Sequence, residues 1–215
     1  MALADDFDGL LVDLDGVVWI GCEPVPDAAE ALAELLGRGT PIVFVTNNPG
    51  RPPATYAARL REAGVPAEEE QVVTAGIVTA ELAARRAASG ASAFVIGAEA
   101  FHDAVAATGL RLLGGEAGRE ADVVLVSGHR GFDYEELLTA TLALRKGASL
   151  FATSRDPTLP MPGGAWPGTG AILAAVETAS GGASAEVGGK PERHLFDLAR
   201  ERIDAPEGGR VAMVG

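Results

Sequence analysis

Leu10-Leu11-Val12-Asp13-Leu14-Asp15-Gly16-Val17-Val18-Trp19 joins an apolar run of strand length to two aspartates and a glycine. Residues two apart on a strand point to the same side, so Asp13 and Asp15 are predicted to face one small volume just past the strand end. Gly16 permits a tight turn there and leaves space for an incoming ligand. The same residues also suit a strand that enters an Asp-Gly hairpin turn. The rest of the chain decides between these two interpretations.

Apolar runs of strand length alternate with segments of helical periodicity along the chain. This order indicates an α/β fold, in which parallel sheets are covered by helices on both faces. The pattern restarts after Ser89-Gly90, and we predict that residues 90–183 form a second α/β unit inserted into a first one, residues 1–89 and 184–215. Beyond the first strand, strands are predicted at 41–45, 93–96, 122–126, 150–153 and 211–214, and helices at 54–63, 77–88, 99–107 and 133–146.

Local signals set several of the predicted boundaries. Asp27 is predicted to cap the helix that follows it, and Asp133 with Glu136 forms a capping-box pattern. Residues 154–164 are the longest turn-rich stretch and are predicted to be a loop. Pro191 is predicted at the first position of a helix, where its missing N–H costs no hydrogen bond.

The composition excludes several classes of function. With 30 acidic and 17 basic residues, the 215-residue chain has a formal charge of −13 and no cluster of Lys and Arg, so we expect no binding to nucleic acid or to a membrane surface. Cys22 is the only cysteine, which fits a reducing compartment. Residues 1–8 lack the features of a signal peptide, and no apolar run reaches membrane-spanning length. We therefore predict a cytoplasmic location.

Three strand or loop ends of the first unit carry side chains that together can handle a phosphoryl group. Asp13 is the candidate nucleophile, because a carboxylate can accept phosphoryl and form an acyl phosphate that water later cleaves. Asp15 would protonate the leaving oxygen and then accept the proton of the attacking water. Thr46 and the Asn47 amide would hold the phosphoryl oxygens, and Lys190 would neutralise their charge. Mg²⁺ suits such a site, because it binds a few carboxylate or carbonyl oxygens together with water and phosphate.

Four short motifs occur in the chain in this order: Asp13-Leu14-Asp15-Gly16-Val17-Val18-Trp19, Val45-Thr46-Asn47-Asn48, Pro167-Gly168-Thr169-Gly170 and Gly189-Lys190-Pro191. With these motifs the chain resembles the haloacid dehalogenase superfamily of phosphatases. It resembles in particular the branch with a large α/β cap, which includes p-nitrophenyl, phosphoglycolate and glycerol-3-phosphate phosphatases. The resemblance implies a Rossmann-like parallel-sheet core with residues 90–183 as its cap domain, an aspartyl-phosphate mechanism, and Mg²⁺ on the Asp13 carboxylate and the Asp15 carbonyl.

The sequence departs from this family in two places. Family members follow the strand at 211–214 with a Gly-Asp pair and a further acid that complete the magnesium site, whereas this sequence ends at Gly215. We therefore expect a longer parent phosphatase, and we expect the 215 residues alone to bind Mg²⁺ weakly and to be poorly active. Ser154-Arg155 stands where the family has Asn and a small or apolar residue before Asp156, which bears on substrate choice.

The inserted unit offers side chains that would meet a charged substrate if it closes over the site as a lid. Arg130 and Arg155 are the candidates for this contact, with His129 next to Arg130 in the sequence. The alternative is that all three are solvated loop charges.

Three functions remain open at this point. The leading hypothesis is Mg²⁺-dependent hydrolysis of a small soluble phosphomonoester, such as a phosphorylated polyol, hydroxy acid, sugar or nucleotide. A dehalogenase would share the nucleophile but would need neither the second acid nor a metal. A non-catalytic domain would bind a phosphate-bearing ligand or a protein partner. The resemblance also allows a homodimer formed through the cap.

Overall fold

The computed structural model describes residues 3–161, 163–206 and 208–215. The α-helices in these residues are α1 Ala28–Gly37, α2 Pro53–Glu62, α3 Ala75–Arg86, α4 Glu99–Ala107, α5 Tyr134–Arg145, α6 Thr169–Ser180 and α7 Arg193–Arg202. The strands are β1 Gly9–Asp13, β2 Trp19–Ile20, β3 Glu23–Pro24, β4 Ile42–Thr46, β5 Val72–Thr74, β6 Ser92–Ile96, β7 Arg111–Leu112, β8 Val123–Val126, β9 Ser149–Ala152, β10 Thr158–Met161, β11 Gly164–Pro167, β12 Glu186–Val187 and β13 Val211–Val214. Short 3-10 helices cover Leu3–Asp6, Glu69–Gln71 and Gly115–Glu120.

The first sheet consists of four parallel strands in the order β13-β1-β4-β5. β1 lies inside it, because Val12 pairs with Val214 on one side and with Phe44 on the other. The apolar side chains of these strands pack into one core on each face of the sheet. Since all four strands run the same way, their carboxyl ends meet at one edge, which is where ligands bind in open α/β sheets.

The second sheet consists of five parallel strands in the order β12-β9-β8-β6-β7. Side chains of α5 and α6 pack in the core on one face, and side chains of α3 and α4 pack in the core on the other. The predicted α/β fold is thereby confirmed. The strands of this sheet extend from Ser92 to Val187, and the division at residues 90–183 stays a prediction.

Predictions of helix caps had mixed outcomes. The capping box of α5 is confirmed, because Asp133 Oδ1 accepts from the Glu136 amide at 2.9 Å and Glu136 Oε2 accepts from the Asp133 amide at 3.3 Å. The prediction for Asp27 is confirmed in position only: Asp27 is the N-cap residue of α1, but its side chain makes no cap hydrogen bond. Asp27 has a φ of 63°, in the left-handed region, whereas a capping residue uses extended backbone to bring its side chain to the helix amides.

The predicted loop at 154–164 is wrong in part, because β10 and β11 form an antiparallel hairpin within and beyond it. The prolines in this stretch favoured a loop over strands. A two-stranded ribbon, however, has two outer edges without ladder hydrogen bonds, and proline is tolerated there. Pro162, within the predicted loop, lies outside the described residues.

Two further segments differ from the predictions. The strand β5 was missed, because its three residues, two of them apolar, are too few to show a period. Pro191 does not open a helix: α7 begins at Arg193, and the Glu192 amide donates to the Gly189 carbonyl at 3.0 Å to close a turn before it. The peptide bond between Lys190 and Pro191 is cis. Within the described residues, no helix combines the length and the apolarity needed to cross a membrane.

Candidate active site

Asp13 and Asp15 stand at the carboxyl end of β1. Asp13 is the last residue of this strand, and its Oδ1 accepts a hydrogen bond from the Leu14 amide at 2.9 Å. Gly16 has a φ of 94° and donates from its amide to the Trp19 carbonyl at 2.7 Å, so the chain turns tightly after Asp15 as the sequence predicts. The Trp19 indole Nε1 donates to Asp15 Oδ1 at 3.1 Å and orients that carboxylate.

Lys190 forms an ion pair with Asp13. The distance between Lys190 Nζ and Asp13 Oδ2 is 2.6 Å, and the two side chains are 17% and 20% exposed. Because water is largely excluded from both groups, their attraction is stronger than that of a pair on the open surface. The candidate nucleophile and the candidate phosphate-binding lysine therefore meet across 177 positions of sequence, the difference between 190 and 13.

Two glycines allow the backbone to bring Lys190 to this place. A Cβ on Gly189 would lie 2.2 Å from the Thr153 carbonyl oxygen and 2.6 Å from Asn47 Oδ1. A Cβ on Gly188 would lie 2.4 Å from Thr79 Oγ1. A side chain at either position would clash with these atoms, so glycine at both positions is a steric requirement.

The side chain of Asn47 fastens the backbone of Lys190. Asn47 Oδ1 accepts from the Lys190 amide at 2.7 Å, and Asn47 Nδ2 donates to the Lys190 carbonyl at 3.1 Å. Asn47 Nδ2 also donates to Asp156 Oδ2 at 3.0 Å. Sequence reasoning assigned only the main-chain amide of Asn47 to phosphate and gave Asp156 no role in the site. No local signal predicts these contacts, because the partners are 143 and 109 positions away.

Thr46 connects the ends of β1 and β4. It is the last residue of β4 and is fully buried. Its Oγ1 donates to Asp15 Oδ2 at 3.0 Å and accepts from the Asn48 amide at 3.0 Å. In this arrangement the hydroxyl orients Asp15, in addition to the phosphate contact predicted for it.

Aromatic residues pack next to the loop that carries Asp15. The rings of Trp19 and Tyr56 stack with centroids 6.5 Å apart, and the Arg59 guanidinium lies 3.9 Å from the centroid of Trp19. The Tyr56 hydroxyl donates to the Asn48 carbonyl at 2.9 Å. Burial, followed by the nearby charge of Asp15, raises the pKa of Tyr56 above its usual value, so the phenol remains a neutral donor.

The two aspartates and the side chains of Thr46, Asn47 and Lys190 line one cavity of about 950 Å³ between the first sheet and the hairpin of β10 and β11. We call its polar side the floor and its mainly apolar side the roof. The floor carries Asp13, Asp15, Thr46, Asn47 and Lys190. The roof carries Arg130, Phe132, Leu159, Met161, Trp166 and Ile172.

The structure separates the two arginines that the sequence proposes for substrate contacts. Arg130 lines the cavity, and its guanidinium lies 4.3 Å from the centroid of the Trp166 ring. His129 also lines the cavity, with Nε2 3.0 Å from Glu136 Oε2. Arg155 is not among the lining residues.

Arg155 is engaged elsewhere. Its guanidinium donates to the two carboxylate oxygens of Glu177 at 3.2 and 3.0 Å and to the Ala185 carbonyl at 3.2 Å. Burial by itself would raise the pKa of Glu177, but the hydrogen bonds from Arg155 and from the Ala185 amide, with the charge of Arg155, outweigh it and lower that pKa. The position of Arg155 therefore does not support the substrate contact proposed for it.

The donors present on the floor fit a magnesium ion. Among residues 3–161, 163–206 and 208–215, no group of three or more His, Cys, Asp and Glu side chains stands close enough to hold a metal. Mg²⁺ does not need such a group, because it binds through one or two carboxylates and keeps water and substrate phosphate as its other ligands. The Asp13 carboxylate matches that requirement, with Asp15 beside it on the same cavity.

Known proteins resemble this chain over nearly its whole length. A family model of haloacid dehalogenase-like hydrolases matches residues 10–111. 5'-Nucleotidase YutF of Bacillus subtilis is 37% identical over 209 residues, which are 97% of this chain and 79% of that protein. Acid sugar phosphatase of Staphylococcus saprophyticus is 34% identical over 210 residues, which are 98% of this chain and 79% of that protein.

A solved structure supports the same relationship. The crystal structure of a glycerol phosphate phosphatase from Mycobacterium tuberculosis, in complex with magnesium, matches with a TM-score of 0.87 at 36% identity and covers 100% of this chain. The chain spans 63% of that solved chain, which is less than two thirds of its length. Fold, cavity and relatives together define a hydrolase of the phosphatase class. The chain belongs to the haloacid dehalogenase-like hydrolases, as its sequence motifs predict.

Proposed function

We propose that the protein hydrolyses small soluble phosphomonoesters in a Mg²⁺-dependent reaction that passes through an aspartyl-phosphate intermediate. The observation that carries this proposal is the Lys190–Asp13 ion pair of 2.6 Å on a cavity that Asp15 and Thr46 share. The relatives named as a 5'-nucleotidase, an acid sugar phosphatase and a glycerol phosphate phosphatase support the substrate class.

In the first half of the reaction, a carboxylate oxygen of Asp13 attacks phosphorus. The new O–P bond forms while the ester P–O bond breaks, and Asp15 donates a proton to the leaving oxygen. Trp19 and Thr46 each hold one oxygen of Asp15, so the acid is oriented before the substrate arrives. Lys190 offsets the charge on the phosphoryl oxygens, because its ammonium lies beside the attacking group.

In the second half, water attacks the phosphorus of the aspartyl phosphate and Asp15 accepts its proton. The acyl phosphate P–O bond breaks, which releases inorganic phosphate and restores the Asp13 carboxylate. The Asp13 carboxylate and the Asp15 carbonyl would hold Mg²⁺, which supplies positive charge against the phosphoryl group when it is bound. The apolar roof residues would face the bound ester and limit the water around it.

The decisive experiment is release of phosphate from p-nitrophenyl phosphate with Mg²⁺. We expect Asp13→Asn to lose at least about a thousandfold in kcat/KM, since the nucleophile is gone. Asp103→Asn, on the exposed surface of α4, is the matched control and should keep the rate of the unaltered chain. Equal rates for Asp13→Asn and the unaltered chain would end the proposal. A phosphoryl adduct on Asp13 after acid quenching, found by mass spectrometry, would support the intermediate directly.

Binding of a phosphate ligand without turnover is a second candidate function. One observation favours it: the described residues contain no group of three or more potential metal-ligating side chains, so a bound Mg²⁺ would depend on water and phosphate for most of its ligands. Stabilisation of the chain by inorganic phosphate, with no release of phosphate from any ester in the presence of Mg²⁺, would decide for binding. Hydrolysis that persists in EDTA, with halide release from a haloacid, would instead favour a dehalogenase. Homodimerisation through residues 90–183 stays a prediction.

A further inference from the structure

Arg130 differs from the other basic groups on the cavity. Lys190 is paired with Asp13, and His129 is paired with Glu136. Within the described part of the chain, the guanidinium of Arg130 takes part in no ion pair or hydrogen bond, and its contact is the face of the Trp166 ring. Among the described residues, Arg130 is therefore the basic side chain of the cavity that no carboxylate contacts directly.

The contact with Trp166 leaves the donors of Arg130 available. With the guanidinium carbon 4.3 Å from the ring centroid, the cation is attracted by the electron-rich face of the indole. The N–H groups of a guanidinium lie in its plane and form a fork that matches two oxygens of a carboxylate or phosphate. Trp166 thus restrains the position of Arg130 without using the fork.

The surroundings of Arg130 leave its charge accessible to a ligand. Arg130 is exposed, and the apolar residues Phe132, Met161 and Ile172 line the same cavity. The chain as a whole carries a formal charge of −13, which repels anions from most of its surface. The cavity itself carries three carboxylates, and Arg130 supplies positive charge against them: Asp13, Asp15 and Asp156.

We infer that Arg130 selects esters whose leaving group carries a second anionic group, a carboxylate or a phosphate. The phosphoryl group that reacts lies at Lys190 on the floor, and the second anion is held by the Arg130 fork on the roof. This inference rests on the proposed function and narrows its substrate class. A neutral polyol would leave the cation unused, and a nucleobase would have to displace the guanidinium to stack on this face of Trp166.

Matched ligand pairs test the inference. 3-Phosphoglycerate and glycerol 3-phosphate differ by a carboxylate against a hydroxymethyl group, and fructose 1,6-bisphosphate and fructose 6-phosphate differ by a phosphate against a hydroxyl. Dissociation constants are measured by calorimetry in an Asp13→Asn background, which prevents turnover. In each pair, one ligand carries a second anion on its leaving group: 3-phosphoglycerate or fructose 1,6-bisphosphate. We expect Arg130→Gln to weaken the binding of that ligand roughly tenfold or more, because a hydrogen bond to a charged group is lost. The dissociation constant of the ligand whose leaving group is neutral should change by less than about twofold. The pair that responds identifies carboxylate or phosphate as the second anion.

Arg155→Gln is the control, since it removes the same charge outside the cavity and should leave both pairs unchanged. Arg130→Lys keeps the charge but loses the fork, and we expect an intermediate loss. Melting temperatures of all variants separate ligand effects from misfolding. The inference would be overturned if Arg130→Gln weakened the binding of both ligands of each pair equally, or if it changed no dissociation constant. Failure of the unaltered chain to hydrolyse p-nitrophenyl phosphate would count against the proposed function alone, because the binding comparison needs no turnover.

Discussion

The backbone at Gly189 passes through a gap that holds no side chain. A Cβ there would lie 2.2 Å from the Thr153 carbonyl oxygen and 2.9 Å from the Ala75 methyl group. A backbone carbonyl at that distance cannot move aside as the end of a flexible side chain can. The next residue, Lys190, is the one that reaches Asp13. Steric fit at a single glycine therefore controls the position of a charge in the candidate active site.

We predict that Gly189→Ala lowers the free energy of unfolding by about 1–3 kcal/mol, the range for overpacking a tight site, and weakens the binding of inorganic phosphate. Gly37→Ala is the matched control. Gly37 ends α1 without a positive φ, and its Cβ would meet no atom within 4 Å, so we expect a stabilisation of about 0.4–1 kcal/mol. Urea unfolding measures both. Equal effects of the two substitutions would show that the gap at Gly189 closes without cost.

At the scale of elements, a carboxylate links the starts of β6 and β8 in the second sheet. Asp122 Oδ2 accepts from the Ser92 hydroxyl at 2.7 Å and from the Ser92 amide at 2.8 Å. Both hydrogen bonds favour the ionised form, the hydroxyl contributing more, and they lower the pKa of Asp122. The link holds these strands at the edge of the sheet opposite their carboxyl ends.

This link predicts a dependence of stability on acid. Because the folded state lowers the pKa of Asp122, its contribution is fully present above the unfolded value of about 3.9 and is lost as the pH falls through the lower folded value. In Asp122→Asn the decline of the melting temperature below about pH 4 should be shallower than in the unaltered chain. Asp103→Asn, exposed on α4, should retain the original slope. An unchanged slope in Asp122→Asn would contradict the proposed linkage.

At the scale of the whole molecule, the cavity lies where two structural parts face each other. Its floor comes from the carboxyl ends of the first sheet and from the segment at Lys190, and its roof comes from residues 130–172. A ligand that contacts the floor stabilises the folded chain by mass action, because the unfolded chain has no such site. Stability is therefore a readout of the assembled cavity that needs no catalysis.

We predict that inorganic phosphate with Mg²⁺ raises the melting temperature of the unaltered chain. At a phosphate concentration a hundred times the dissociation constant, the gain is about 2.7 kcal/mol, or roughly 5–10 °C for a chain of this size. Lys190→Met should abolish the shift. Lys146→Met is the control, since Lys146, the other lysine in the sequence, forms an exposed ion pair with Glu120. A full shift in Lys190→Met would exclude Lys190 as a phosphate ligand.

The sequence by itself determined the α/β order of elements and several of their limits. α4 and β13 have the predicted bounds, and Asp133 with Glu136 forms the predicted capping box. It also placed Asp13 and Thr46 at the carboxyl ends of β1 and β4, which lie at one edge of the first sheet. These features depend on periodicity and on contacts within a few residues, which a local pattern contains.

Only the tertiary structure decided which side chains meet. It brought Asn47 to Asp156 and to the backbone of Lys190, and it turned Arg155 away to Glu177 while Arg130 stayed on the cavity. The hairpin of β10 and β11 likewise emerged from a stretch that carries loop signals. The physical reason is that these partners belong to segments far apart in the sequence, whose packing depends on close approaches such as that at Gly189. The pattern within one segment does not record which side chains the other segment presents.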